Sequence, residues 1–207
     1  MPILQLKDRL VLFIHVPKTG GSTIEHHLAE AGPLFLKTGG PLNGMPCNAQ
    51  HFHAALIEAL FGPADFSYAF MLVRHPLTRL VSNYRYKLRK YHPLRSRLSF
   101  SAWLRYALLR RRLNPYYHDN HLRPQVEFET ANAEIFHWED GLEACLARVA
   151  ERIGIEAPER LETLKRSAPR PVRVRRSDID LVRRIYAGDF ERYGYARLPD
   201  GFEDTPG

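Results

Sequence analysis

Directly after a short apolar run, this 207-residue chain carries Lys18-Thr19-Gly20-Gly21-Ser22-Thr23. Glycines let backbone N–H groups approach an anion closely, a following helix presents unpaired donors at its N-terminus, and a lysine adds positive charge at the same place. The combination is an anion cradle. It is not the usual phosphate loop G-x-x-x-x-G-K-[ST], because the first glycine is missing and the lysine precedes the glycine pair. A second constellation, Arg74-His75-Pro76-Leu77-Thr78-Arg79-Leu80-Val81-Ser82, also follows an apolar run. Arg74 and Ser82 can flank one phosphate from two sides. Between the two lies Gln50-His51-Phe52-His53, and an imidazole titrates close enough to neutrality to serve as a general base.

Charge is unevenly placed around these residues. The chain carries a net charge of +7, yet from Phe66 to His118 there is no Asp or Glu and there are twelve Lys or Arg. The remainder holds 18 bases against 23 acids. A stretch of cations attracts anions and steers them inward, which favours an anionic ligand over a plain solvated face. Arg79 and Arg85 in this stretch, with His121 just beyond it, are the candidates for facing an acceptor. Cys47 and Cys145 offer neither a disulfide framework nor a metal-ligand spacing, and both read as packed thiols.

The elements that must position these groups follow from the apolar pattern. Leu10 to Val16 reads as a buried strand ending at Pro17, with His15 continuing its alternation as a structural residue. Thr23 to Ala31 has Ile24, Leu28 and Ala31 at helical spacing, stopped by Gly32-Pro33. Residues 33 to 50 read as an irregular loop, and Ala54 to Leu60 as a short helix. Tyr68 to Val73 is a second buried strand, followed by a helix from about Leu77 to Lys90. Ser99 to Arg112 is a further helix, capped by Ser99 or Ser101. Glu134 to Trp138 is a third strand, Asp140 to Ile153 a helix, and Ser177 to Tyr193 the last helix. Strands alternating with helices predict an α/β domain spanning residues 1–207, with a central, mostly parallel sheet flanked by helices in three layers. Ligands bind such sheets outside the C-terminal strand ends, where both constellations fall. The apolar run at Leu10 to Val16 is far shorter than the roughly 20 residues of a membrane span, and no cleavable leader pattern precedes it, so a soluble, cytoplasmic protein is expected.

Together these residues resemble the sulfotransferases that use 3′-phosphoadenosine-5′-phosphosulfate (PAPS), especially the family of heparan sulfate and uronosyl 2-O-sulfotransferases and their bacterial relatives. His15 to Thr23 resembles that family's 5′-phosphosulfate loop, and Val73 to Tyr84 its 3′-phosphate motif. Gln50 to His53 is similar to an H-x-H segment whose later histidine is the base. Asp119 to Gln125, Phe136 to Asp140 and Tyr186 to Tyr195 are similar to further family segments. The resemblance implies a P-loop-like sulfotransferase fold, PAPS as donor and a carbohydrate-like or anionic acceptor. It implies Lys18, Thr19, Gly20, Gly21, Ser22 and Thr23 on the phosphosulfate, and Arg74 and Ser82 on the 3′-phosphate. His53 is the implied base, with His51 beside it. Residues 161–176, where the family closes over the nucleotide, match poorly, and Arg166, Ser167 and Arg170 are the candidates there.

Two other functions compete for these features. A P-loop kinase needs a lysine after the glycines and a carboxylate for Mg²⁺ at a strand end, and Val73-Arg74 and Phe13-Ile14 supply neither. A nucleic-acid module built on the basic stretch and its tyrosines leaves the Lys18 loop unexplained. A sulfuryl group carries less charge than a phosphoryl group, so no metal is expected.

Overall fold

The computed structural model describes residues 1–37, 40, 42–90, 98–157, 171–199 and 202. Ile3–Leu6 (β1) and Arg9–Ile14 (β2) form an antiparallel hairpin, with Leu6 opposite Arg9. Its two-residue turn places Lys7 at φ 52°, the left-handed backbone that matches hairpin twist. Leu34–Phe35 (β3) pairs antiparallel with β1. Tyr68–Val73 (β4) lies parallel to β2, and Ala133–His137 (β5) parallel to β4. The sheet order is β3-β1-β2-β4-β5, so every strand except β1 runs in one direction. The helices are Gly21–Ala31 (α1), Ala54–Glu58 (α2), Pro76–Lys90 (α3), Phe100–Leu113 (α4), Leu142–Ile153 (α5), Arg176–Ile185 (α6) and Ala187–Arg192 (α7).

The chain groups into two compact units, Met1–Arg74 with Glu127–Leu164, and His75–Val126 with Lys165–Gly207. The first holds the sheet. Val11 and Phe13 of β2 and Phe70 and Leu72 of β4 pack with Ile24 and Leu28 of α1 and with Leu146, Val149 and Ile153 of α5. Leu12, Ile14, Met71 and Val73, which alternate to the other face, are equally buried. Burial on both faces explains why these strands read as unbroken apolar runs, and each fully buried Leu, Ile or Phe contributes about 1.5–3 kcal/mol.

The second unit is helical. Leu77, Leu80, Val81 and Tyr84 of α3 pack with Phe100, Trp103 and Leu104 of α4 and with Ile179 and Val182 of α6. His75 caps α3: its Nδ1 accepts the Leu77 N–H at 3.2 Å, and its Nε2 lies 3.1 Å from the Arg197 carbonyl. Ser99 caps α4 by accepting the Ala102 N–H at 3.3 Å, whereas the Ser101 hydroxyl donates to the buried Asp178 carboxylate at 2.5 Å.

Two expectations are corrected here. The loop at 33–50 contains β3 and a short helical turn at Ala49–His51. The last helix is broken at Tyr186, whose backbone sits at φ −109° and ψ 26°. Tyr186 is fully buried and its hydroxyl donates to the Leu122 carbonyl at 2.8 Å. The Asp189 carboxylate accepts the Val126 N–H at 3.0 Å. Those tertiary bonds re-aim the chain between α6 and α7. Among the described residues no helix is long and apolar enough to cross a membrane.

Candidate functional site

The first constellation sits where β2 hands over to α1. Past Ile14 the chain turns sharply: the Thr19 hydroxyl donates to the Val16 carbonyl at 2.9 Å, and Lys18 takes φ 74°. Gly20, at φ 91°, stands at the N-cap position of α1. A Cβ there would also lie 2.9 Å from a Leu142 methyl. At Gly21 a Cβ would fall 2.3 Å from His15 Nε2, so only glycine lets the His15 ring lie against the start of the helix. Gly21 and Ser22 stand too early in α1 for intrahelical acceptors, whereas the Thr23 N–H donates to the Gly20 carbonyl at 3.0 Å, and no acidic residue occupies the first turn. Lys18 and Ser22 are half-exposed, while Thr19 and Thr23 are buried. Thr19 therefore spends its hydroxyl on closing the turn. Ser22 and Thr23 lie inside the first turn of the helix rather than at its cap.

Arg74 follows the last residue of β4 and reaches this loop. Its Nη1 donates to the Lys18 carbonyl at 3.3 Å. Its guanidinium stacks 3.7 Å over the Trp138 ring, and such stacking with bidentate-capable edges suits arginine rather than lysine. Trp138 belongs to the Phe136 to Asp140 match, but nothing in that pattern assigned it a partner.

Beneath the loop is a buried polar group. His15 Nδ1 bonds the Glu25 carboxylate, and Gln50 Nε2 donates to Glu25 Oε1 at 2.6 Å and to Oε2 at 2.8 Å. Burial drives the His15 imidazole down to about 4, against the opposing pull of Glu25. Burial pushes the Glu25 carboxyl up, yet the bonds and charge of His15 and the bond of Gln50 outweigh it and hold the group below its usual range. The pair is a neutral imidazole donating to an ionised carboxylate at pH 7. His51 and His53 lie close by in the chain, both buried at 8% exposure, with the His51 ring meeting His15 edge-on at 5.1 Å.

A pH dependence of stability follows. A histidine whose folded pKa lies below its unfolded value of 6.5 binds its proton more readily in the unfolded chain. The stability present above 6.5 is lost as pH falls toward about 4, and Glu25, also depressed, adds to the loss below its ordinary value of 4.5. Urea unfolding is expected to show a lower midpoint at pH 5 than at pH 7, and His15→Phe to flatten that difference; an equal slope in both proteins contradicts it.

The remaining candidates fall in the helical unit or outside the described residues. Ser82 is half-buried on α3. His121 Nδ1 lies 3.0 Å from Asn83 Oδ1, and its ring stacks on Tyr86 at 6.0 Å. Arg85 is half-buried on α3. Arg79 corrects its assignment to the acceptor: it is 0% exposed and donates to the Arg123 carbonyl at 2.7 Å and the His121 carbonyl at 3.5 Å. Asp189 adds charge compensation inside the same unit. That guanidinium holds the 121–123 turn and has no face for a ligand. Arg166, Ser167 and Arg170 lie outside the described residues.

These features define an α/β protein with a glycine-containing turn and a helix start at the end of β2, and an arginine just past β4 bonded to that turn. A model of the sulfotransferase family matches residues 2–196 of 207, and the chain belongs to the sulfotransferase family. Membership carries sulfuryl transfer as the general reaction. No curated protein and no solved structure matches the chain.

Proposed function

We propose that the chain transfers a sulfuryl group from PAPS to a hydroxyl of a carbohydrate-like acceptor, as one P-loop-like domain. The observation that carries the donor is the bond from Arg74 to the Lys18 carbonyl, which couples the two anion-binding elements. Lys18 keeps a left-handed backbone at φ 74°, a conformation that costs about 1–3 kcal/mol for a non-glycine residue and persists only where surrounding contacts over-determine it. Thr19 and Arg74 supply those contacts. The residues present fit a nucleotide with two phosphate sites.

PAPS supplies the sulfuryl group on a phosphate leaving group. Lys18 and the amides from Thr19 to Ser22 hold the 5′-phosphosulfate, the Thr23 amide being bonded to the Gly20 carbonyl, and Arg74 holds the 3′-phosphate, with Ser82 retained through its spacing in the motif. His53 takes the proton of the acceptor hydroxyl as that oxygen attacks sulfur in line. Lys18 neutralises the charge that grows on the leaving oxygen. Positioning and electrostatics supply most of the acceleration, as in phosphoryl transfer, and no covalent enzyme intermediate is required. The acceptor class follows from the resemblance to 2-O-sulfotransferases.

The test is calorimetry with 3′-phosphoadenosine-5′-phosphate (PAP) beside AMP. A charged hydrogen-bonding partner for the extra phosphate corresponds to about 1.5–3 kcal/mol, so PAP is expected to bind roughly 10- to 150-fold more tightly. Equal affinities would remove the 3′-phosphate site and with it PAPS as the donor.

A further inference from the structure

Glu25 takes no part in the steps above, yet it is a carboxylate at 1% exposure in the second turn of α1. Burying an ionised carboxylate costs several kcal/mol unless good bonds compensate it. Its bonds run to two separate stretches of chain. One is the exit of β2, through His15 Nδ1. The other is the helical turn Ala49–His51, through the double donation of Gln50. That turn leads straight into His53, which opens α2. The His15 ring is itself wedged between Phe13, stacked at 5.5 Å, the edge of His51 at 5.1 Å, and the backbone of Gly21.

We infer that Glu25 is a positioning residue that fixes the His51–His53 segment against the anion loop, with one arm through Gln50 and the other through His15. The assignment of roles rests on the function proposed above. Only two acceptor oxygens receive the Gln50 amide at both positions while one of them also takes the His15 N–H. A glutamine at position 25 keeps one oxygen for His15 but faces Gln50 with its own NH₂, so the Gln50 amide must turn over to present its oxygen, and both arms lose the charged acceptor. Exchanging the two residues, Glu25→Gln with Gln50→Glu, restores a donor facing an acceptor and still leaves an oxygen for His15.

Two readouts follow the two arms: PAP affinity by calorimetry, and the ring resonances of His15, His51 and His53 in two-bond ¹H–¹⁵N spectra. Gln50→Ala is expected to shift the His51 and His53 signals while PAP affinity stays within about twofold. Glu25→Gln is expected to move the hydrogen-bonded Nδ1–H signal of His15 upfield, because a neutral amide oxygen replaces the carboxylate, to shift the other two rings and to weaken PAP by at least about tenfold, the scale of one lost charged hydrogen bond. The exchanged pair is expected to return the His51 and His53 signals toward wild type while the His15 signal stays shifted. Unshifted His51 and His53 rings in Gln50→Ala overturn the inference, and so does a Glu25→Gln protein with wild-type rings and PAP affinity but a lowered unfolding midpoint. Should Glu25→Gln fail to fold, Gln50→Ala still decides, because Gln50 is half-buried and its loss leaves the His15 bond in place. A wild-type protein that does not bind PAP refutes the donor instead, and the ring signals then judge the positioning role independently.

Discussion

Replacing His53 by alanine is expected to lower kcat by about 10²- to 10⁴-fold, the usual contribution of a general base, while PAP affinity stays close to wild type. The backbone at this position has its own anchors, since the His53 carbonyl accepts the N–H groups of Leu56 and Ile57 at 3.0 and 3.1 Å. The side chain makes no capping bond to α2, so its removal should leave the helix in place. At 8% exposure the ring is sheltered from water, an environment that favours the proton transfer proposed for it. His51→Ala should do less to the rate, because its ring packs edge-on against His15. Single-turnover rates at saturating PAPS, with an acceptor drawn from a panel of hydroxylated oligosaccharides, decide between them. Loss of activity in His51→Ala with full activity in His53→Ala reverses the roles.

The strands that flank the site were readable because burial on both faces leaves an unmistakable mark. Tyr68–Val73 is a strand over the whole of its apolar run, and β2 covers most of the predicted one. β1 was missed for physical reasons. Its four residues are too few to show a period, and its turn is Lys7-Asp8 rather than the Asn-Gly that announces a tight hairpin. With β1 and β3 unread, the antiparallel side of the sheet was invisible. The break at Tyr186 was hidden for another reason, because apolar spacing continues through it and only contacts with the distant residues Leu122 and Val126 dictate the bend.

The same division holds in the site. Lys18, Gly20 and Gly21 announced themselves through local chemistry, since a tight turn and a helix start are properties of adjacent residues. Glu25 did not, for in the sequence it is one acid on an amphipathic helix. The positioning role inferred for it depends on His15 and Gln50, ten residues before it and 25 after it. Arg79 erred in the opposite direction. A cation in a basic stretch reads as surface, and only the fold reveals two backbone carbonyls waiting for it in the interior.

Lys18→Ala is expected to reduce kcat by roughly 10²- to 10³-fold, the cost of removing one preorganised donor from a developing oxyanion, with a smaller rise in KM for PAPS. The substitution isolates charge from backbone. Lysine and alanine bear the same strain at φ 74°, whereas Lys18→Gly would relax the turn and confound the two effects. Arg74→Ala serves as the contrast, since an interaction made equally in the ground and transition states raises KM and leaves kcat nearly unchanged. It should weaken PAP by about 1.5–3 kcal/mol. The two residues are not independent, because the Arg74 guanidinium donates to the Lys18 carbonyl. The double variant should therefore lose less than the sum of the single losses. A Lys18→Ala enzyme whose kcat is intact and whose KM alone has risen would show that the lysine binds the nucleotide without serving the leaving group, and a strictly additive double variant would show that the Arg74 bond transmits nothing between the two phosphate sites.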